Sequence, residues 1–266
     1  MPSTEIFIVS CAKHFDWLEY CLQSIGKFAR GFSGVTIIIP GPDAPLAIQR
    51  FFGRDFGLPV DQTPFRWPNL EPEWEGKGML WHMAQVMKAD EWCPQADFIL
   101  HTDSDCLFIE PVTPEDYFVN GKPVLYHERF KSLGKKHPEV LRWQEVVQKC
   151  VTFPVTQETM RRHPAVHPHK TYLKSRVEIA FKTRIAWDSY IKNQRNEFPQ
   201  TFCEFVTLGN VGMHYFPHDY HLMDMETTPW PHQKIAQFWS HSPPHIPQAP
   251  LVNGKPFECT PDYFLK

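Results

Sequence analysis

The sequence predicts an α/β fold built on a mostly parallel sheet with helices packed over it. Three observations carry that expectation. Short apolar runs alternate with helically spaced apolar residues through residues 1–128. The runs are apolar at nearly every position, as strands buried on both faces are. One run ends directly on two carboxylates, at the edge where open parallel sheets gather ligands.

Ile6-Phe7-Ile8-Val9-Ser10 is the first strand, closing in small residues. Phe15, Leu18, Cys21, Leu22, Ile25, Phe28 and Ala29 recur at helical spacing, with Asp16 in the first turn, where the helix dipole favours an acid. Gly31 and Gly34 break the chain, and Val35–Ile39 forms a second buried strand stopped by Pro40-Gly41-Pro42. A third short strand is expected over Leu58–Gln62. An ordered loop rich in Pro, Trp and Glu then covers Thr63–Gly78, and a helix runs from Met79 to Lys88. Phe98–Thr102 is the strand before the acids.

The second half is less regular. Val124–His127 reads as a strand, and Val140, Trp143, Val147 and Cys150 mark a helix. Thr156 is positioned to cap a short helix with Glu158 in its first turn. One helix is expected over Ile179–Ile191 and a late strand over Val211–Tyr215, with a Pro- and His-rich surface wrap from Pro229. No repeat or linker interrupts residues 1–266, so a single domain is expected: 1–128 as one half, and 129–266 as the second half and C-terminal wrap.

Composition narrows the function classes. A formal charge of -3 gives no global field for nucleic acid, and 42% hydrophobic residues suffice for a large core. The longest apolar runs are too short to span a bilayer. The start, Met1-Pro2-Ser3-Thr4-Glu5, lacks the pattern of a signal peptide. The seven cysteines are scattered with no CxxC pair, which predicts reduced core thiols and a cytoplasmic protein.

The chemistry concentrates in Phe98-Ile99-Leu100-His101-Thr102-Asp103-Ser104-Asp105-Cys106-Leu107-Phe108. Two acids on the rim of a buried strand are costly unless something positive joins them. Mg²⁺ or Mn²⁺ held by a few carboxylates, with other positions left to phosphate oxygens and water, meets that need. The plainer reading is a turn with solvated side chains. An EF-hand is excluded, because Leu107 and Phe108 stand where its loop needs an oxygen ligand and a glycine. Lys77 between Gly76 and Gly78 is no phosphate loop, and no GxGxxG follows the first strand.

These pieces together resemble a GT-A type glycosyltransferase with an Asp-x-Asp motif. They are the strand Ile6–Ser10, the helix Gly78–Lys88 and the segment Phe98–Asp105. Cys203-Glu204-Phe205 followed by Leu208-Gly209-Asn210 resembles a downstream acidic segment of some bacterial and viral members. The resemblance implies a Rossmann-like three-layer sandwich. It also implies transfer of a sugar from a nucleoside diphosphate donor, UDP above GDP, to an acceptor hydroxyl. Ser10 and Cys11, with Lys13 beside them, would line the nucleotide pocket together with Asp103, Ser104 and Asp105. Asp105 would ligate Mn²⁺ or Mg²⁺ directly, and Asp103 would reach the metal or ribose through water. A further ligand is implied from a late histidine, His241 first, with His232 and His245 competing. Glu204, and less so Asp188, would serve as general base if the reaction inverts.

The acceptor stays open between a saccharide, a small molecule and a hydroxylated base of viral DNA. The DNA reading would draw on Lys131, Lys135, Lys136, Arg161 and Arg162. The basic segment Arg161–Lys170 is a phosphate-holding candidate or a solvated loop. Trp67, Trp74 and Trp81 are stacking candidates whose default role is core packing. Two readings compete. A haloacid-dehalogenase-like phosphohydrolase also carries Asp-x-Asp after a strand, but usually opens the chain with it and has Thr where Leu107 stands. A non-catalytic nucleotide- or carbohydrate-binding module is the other.

Overall fold

The computed structural model describes residues 2–59, 64–160, 164–196, 201–229, 231–237, 251–252 and 255–256. In chain order the elements are β1 (Thr4–Val9), α1 (Phe15–Phe28), β2 (Gly34–Ile38), α2 (Ala44–Phe51), β3 (Phe65–Arg66), α3 (Gly78–Val86), α4 (Ala89–Trp92), β4 (Phe98–His101) and β5 (Cys106–Phe108). There follow β6 (Phe118–Val119), β7 (Lys122–Arg129), α5 (Phe130–Leu133), α6 (Leu141–Gln148), β8 (Gln157–Glu158), β9 (Ala165–Pro168), α7 (Lys170–Thr183), α8 (Trp187–Lys192) and α9 (Glu204–Tyr215). β10 (His221–Asp224), β11 (Ile235–Gln237), β12 (Leu251–Val252) and β13 (Lys255–Pro256) close the chain.

The main sheet has the order β3-β2-β1-β4-β9, parallel except for β9, which runs antiparallel to β4. Alternate residues of each strand enter opposite cores, as the period of a strand requires. Ile6, Ile8, Ile37 and Leu100 pack with Leu18, Leu22 and Ile25 of α1 and Ala47 of α2. Phe7, Val9, Ile38 and Ile99 pack with Leu80 and Ala84 of α3, Tyr172 and Ile179 of α7 and Val206 of α9. The fold is therefore mixed α/β, with a mostly parallel central sheet between two helical layers. A smaller sheet, β10-β7-β6 with β8 on β7, flanks it, and β11 pairs antiparallel with β5. β9, from the second half of the sequence, is an edge strand of the main sheet, so the two halves share one core.

Six cysteines are free thiols among the described residues, five of them buried, as their scatter predicts. No helix among those residues is long and apolar enough to cross a membrane.

Several local expectations are corrected. The third strand is Phe65–Arg66; residues 58 and 59 are irregular, and 60–63 lie outside the described residues. Thr156 caps no helix. Gln157 and Glu158 instead pair with Arg129 and Glu128 of β7, a long-range ladder that outweighs a local cap. The expected helix over Ile179–Ile191 is two helices. Arg184 closes α7 in the left-handed region, φ 63°, and α8 starts three residues later. Val211–Tyr215 is the last turn of α9, because a short apolar run fits a buried helix as well as a strand.

Gly209-Asn210 accordingly lies in the middle of α9. Gly209 is there for closeness: a Cβ would stand 2.2 Å from Thr159 Oγ1, whose hydroxyl donates to the Phe205 carbonyl at 2.9 Å. Gly209→Ala gains helix propensity of about 1 kcal/mol but forces this contact apart. The expected net loss is about 2 kcal/mol, read from urea unfolding; an unchanged or raised midpoint would contradict the close approach.

Candidate functional site

β1, β2 and β3 lie to one side of the β1/β4 boundary and β4 and β9 to the other. At such a reversal of strand order the connections diverge and leave a crevice outside the carboxyl ends. The Ser10 backbone N–H donates to Ile38 O at 2.9 Å and that of Thr102 to Phe7 O at 3.1 Å. The crevice is thus edged by Ser10-Cys11 on β1 and by Thr102–Asp105 on β4. Ala12 N–H donates to Asp43 Oδ2 at 2.8 Å, which ties the loop after β1 to the loop after β2.

Asp103-Ser104-Asp105-Cys106 is a β-turn, closed by Cys106 N–H donating to Asp103 O at 3.0 Å. The plainer reading is right about the backbone and about Asp103, whose side chain is 29% exposed, and wrong about Ser104 and Asp105. Asp105 is 2% exposed and Ser104 7% exposed. The turn is pinned to α1: Cys21 Sγ contacts Asp103 O at 3.8 Å, and Ser24 Oγ accepts from Phe108 N–H at 3.0 Å. Burial drives the Cys21 and Cys106 thiols well above their ordinary range, and the charges of Asp105 and Asp103 push both further. The field of the acid pair therefore reaches both thiols.

Two side chains that sequence reasoning missed stand against Asp103. Gln237 Nε2 donates to Asp103 Oδ2 at 3.0 Å, and His82 Nε2 lies 3.9 Å from Asp103 Oδ1. α3 crosses back between β3 and β4, so its first turns sit at the carboxyl rim and bring His82 there. Gln237 arrives through the β5/β11 pairing, in which it is the partner of Cys106.

The other expected residues divide. Lys13 is exposed on the loop after β1, and Cys11 is half-buried, its thiol raised mainly by burial. The Ser10 hydroxyl is buried and meets no partner among the described residues. Glu204 opens α9 at 4% exposure, and the next residue, Phe205, packs edge-on against His101 at 5.4 Å, which brings the Glu204 end of α9 to the rim. Glu158, also missed, shares this corner: after burial, Glu204 and Glu158 both raise the Cys203 thiol.

Asp188 does not reach the rim. Its neighbour Trp187 packs with Lys88 and Arg176, past the far end of α3, whereas the rim end of that helix meets Lys192 through Lys77. His232 is also elsewhere, paired with Glu110 at 2.9 Å beyond the opposite end of β5. His241, His245, Arg161 and Arg162 lie outside the described residues. Lys131, Lys135 and Lys136 are exposed on and after α5. Trp74 and Trp81 are core residues. Trp67 is half-buried just past β3, its ring parallel to Phe65 at 5.4 Å, and of these three tryptophans it is the one outside the core.

Beneath the rim lies a buried polar layer. His101 Nε2 meets Tyr172 OH at 2.5 Å, and His167 Nδ1 meets Tyr220 OH at 3.0 Å. Burial lowers His167 from its ordinary 6.5 to about 3. The unfolded chain takes this proton near 6.5 and the fold refuses it until about 3, so the contribution to stability is full above 6.5 and declines as pH falls through that window. Between pH 7 and pH 5 the expected loss from this group is about 2 kcal/mol. His167→Gln should flatten the pH dependence of the urea midpoint by that amount; an unaltered slope would remove His167 as its source.

Asp103 and Asp105 are the two hard oxygen donors that the turn offers a metal. No group of three His, Cys, Asp or Glu among the described residues is arranged to hold one. Mg²⁺ and Mn²⁺ are commonly held by one or two carboxylates with phosphate oxygens and water completing the shell, so Asp103 and Asp105 fit such an ion when a phosphate substrate shares it. Compared with known proteins, the chain matches no family model, and no curated protein is significantly similar to it.

Proposed function

We propose that the chain is a GT-A type, metal-dependent glycosyltransferase that moves a sugar from a nucleoside diphosphate sugar to an acceptor hydroxyl. The observation that carries the reading is the Asp103-Ser104-Asp105 turn, with Asp105 buried and Asp103 partly exposed, on the carboxyl rim of a parallel sheet, at the β1/β4 reversal and beside Ser10. Asp105 would hold Mn²⁺ or Mg²⁺, with Asp103 set behind it by Gln237 and His82. When bound, the ion would neutralise the departing diphosphate as a Lewis acid. Ser10 and the backbone at Cys11 would bind the nucleotide, with Trp67 available for stacking. Glu204 would take the proton of the acceptor hydroxyl in an inverting transfer. The haloacid-dehalogenase reading is disfavoured because the acids follow β4 instead of β1 and Leu107 replaces the expected Thr. UDP is preferred over GDP on the resemblance alone.

Thermal shift across nucleoside diphosphates, with and without Mn²⁺, tests the reading. A ligand at a hundred times its dissociation constant stabilises the native state by about 2.7 kcal/mol. One diphosphate is expected to raise the midpoint by several degrees with Mn²⁺, and EDTA to abolish both this shift and hydrolysis of the matching sugar donor. Hydrolysis of simple phosphate monoesters, with no response to any nucleotide, would overturn it.

A further inference from the structure

α7 carries a stripe that the core does not use. Leu173, Val177 and Phe181 recur every four residues and are 58%, 51% and 56% exposed; Ile185, just past the helix, continues them at 45%. They supply four of the eight large apolar side chains that are exposed among the described residues. Thr171, Tyr172, Ser175, Glu178 and Ile179 bury the opposite side. At about 100° per residue, a spacing of four turns only about 40° per step, so the three helical side chains face one direction within an arc of about 80°. They can all meet a plane at once.

Charge decides what that plane is. Lys170 and Lys174 fall beside the stripe by helical spacing, and the Arg184 guanidinium lies 4.7 Å from the Phe181 ring centre. Lys182 is exposed at the helix end. Glu178 is the sole acid in the α7 sequence and is buried, bonded to Thr152 and Tyr215. Lys170 shares its charge with Asp219 at 2.6 Å, and Lys174 lies over the Tyr215 ring. A cationic excess remains. A second copy packed antiparallel would set Lys174 against the partner's positive end, and like charges there oppose pairing. Residues 238–266 hold two acids, Glu258 and Asp262, against two bases, Lys255 and Lys266, and bring no complementary charge.

We propose that the α7 face docks on an anionic lipid surface, with Leu173, Val177, Phe181 and Ile185 entering the interface and the cations meeting headgroup phosphates. A protein helix would ask for a groove between elements, whereas one convex stripe suits a flat interface. The inference is independent of the proposed transfer reaction.

Co-sedimentation of the whole chain with phosphatidylcholine vesicles, with and without phosphatidylglycerol, tests it. Binding is expected to the anionic vesicles and to fall with salt. Phe181→Ser should lower partitioning about tenfold, and Lys174→Gln about fivefold. Phe181 is exposed, so the melting midpoint of its variant should hold, while Lys174→Gln loses the contact over the Tyr215 ring and should lower the midpoint slightly; should Phe181→Ser fail to fold, Leu173→Ser makes the same test. Absence of vesicle binding, salt-insensitive binding to neutral vesicles, a dimer dissolved by Phe181→Ser, or binding to an acidic amphipathic peptide without binding to vesicles would each overturn the proposal.

Discussion

Replacing Asp105 with Ala or Asn is expected to lower donor turnover by about three orders of magnitude while leaving the fold intact. The size follows from the chemistry proposed for it. A Lewis acid at a departing diphosphate supplies several kcal/mol of transition-state stabilisation, and about 4 kcal/mol is a thousandfold in rate. The stability expectation has the opposite sign. Asp105 is buried beside Asp103, so neutralising it relieves like-charge crowding, and the metal-free variant should melt at or above the wild-type temperature. The Mn²⁺-dependent part of the nucleotide shift should vanish with activity. Asn keeps the shape of Asp and separates loss of charge from loss of packing should the Ala variant misfold. Asp103, bonded by Gln237 with His82 nearby, should tolerate Asn better, at a tenfold to hundredfold cost typical of residues that act through a ligand. A variant lacking Asp105 with turnover within threefold of wild type would end the metal reading.

The acid turn was legible because every signal for it is local. β1, β2 and β4 are apolar runs of strand length, and α1 has helical spacing with stops at Gly31 and Gly34. A parallel sheet then puts strand ends, and Asp103 and Asp105 with them, on one rim. What sequence reading missed depends on partners distant along the chain. Gln237 reaches Asp103 across 134 positions through a three-residue strand. His82 is marked only by lying in the second turn of a helix that crosses back over the sheet. Glu158 reads locally as a helix acid and becomes a strand residue because β7 offers a ladder. α9 misled for a related reason. Every residue from Glu204 to Gly212 is buried, so its pattern has no exposed polar side to reveal the helical period. Asp188 stands apart from the acid turn because the left-handed Arg184 ends α7 and α8 then begins beside Lys88, away from the rim.

Truncating Arg176 is expected to be the most destabilising single change away from the site. Its guanidinium grips Asp90 with both arms, at 2.5 and 2.9 Å, and one arm also donates to Met87 O at 2.6 Å. Both side chains are 7% exposed. The pair joins α4 to α7 beneath Trp187 of α8, so it fixes three helices of one layer. Arg176→Ala would leave the Asp90 carboxylate buried with Glu91 as its neighbour, at a cost of about 3–5 kcal/mol. That is a large part of the total stability of a domain. Arg176→Lys keeps the charge but loses the fork, and should fall between Ala and wild type. The paired change Arg176→Met with Asp90→Leu removes both charges and should recover most of the loss, since a buried ion pair is often no more stable than apolar residues of similar volume. Urea unfolding of the four proteins decides it. If the double variant is as unstable as Arg176→Ala, packing around Trp187 and not an uncompensated carboxylate sets the cost. The pair lies at the end of α3 opposite His82, so variants that remain folded should keep the nucleotide-dependent shift; its loss would mean that this helical layer also sets the geometry of the rim.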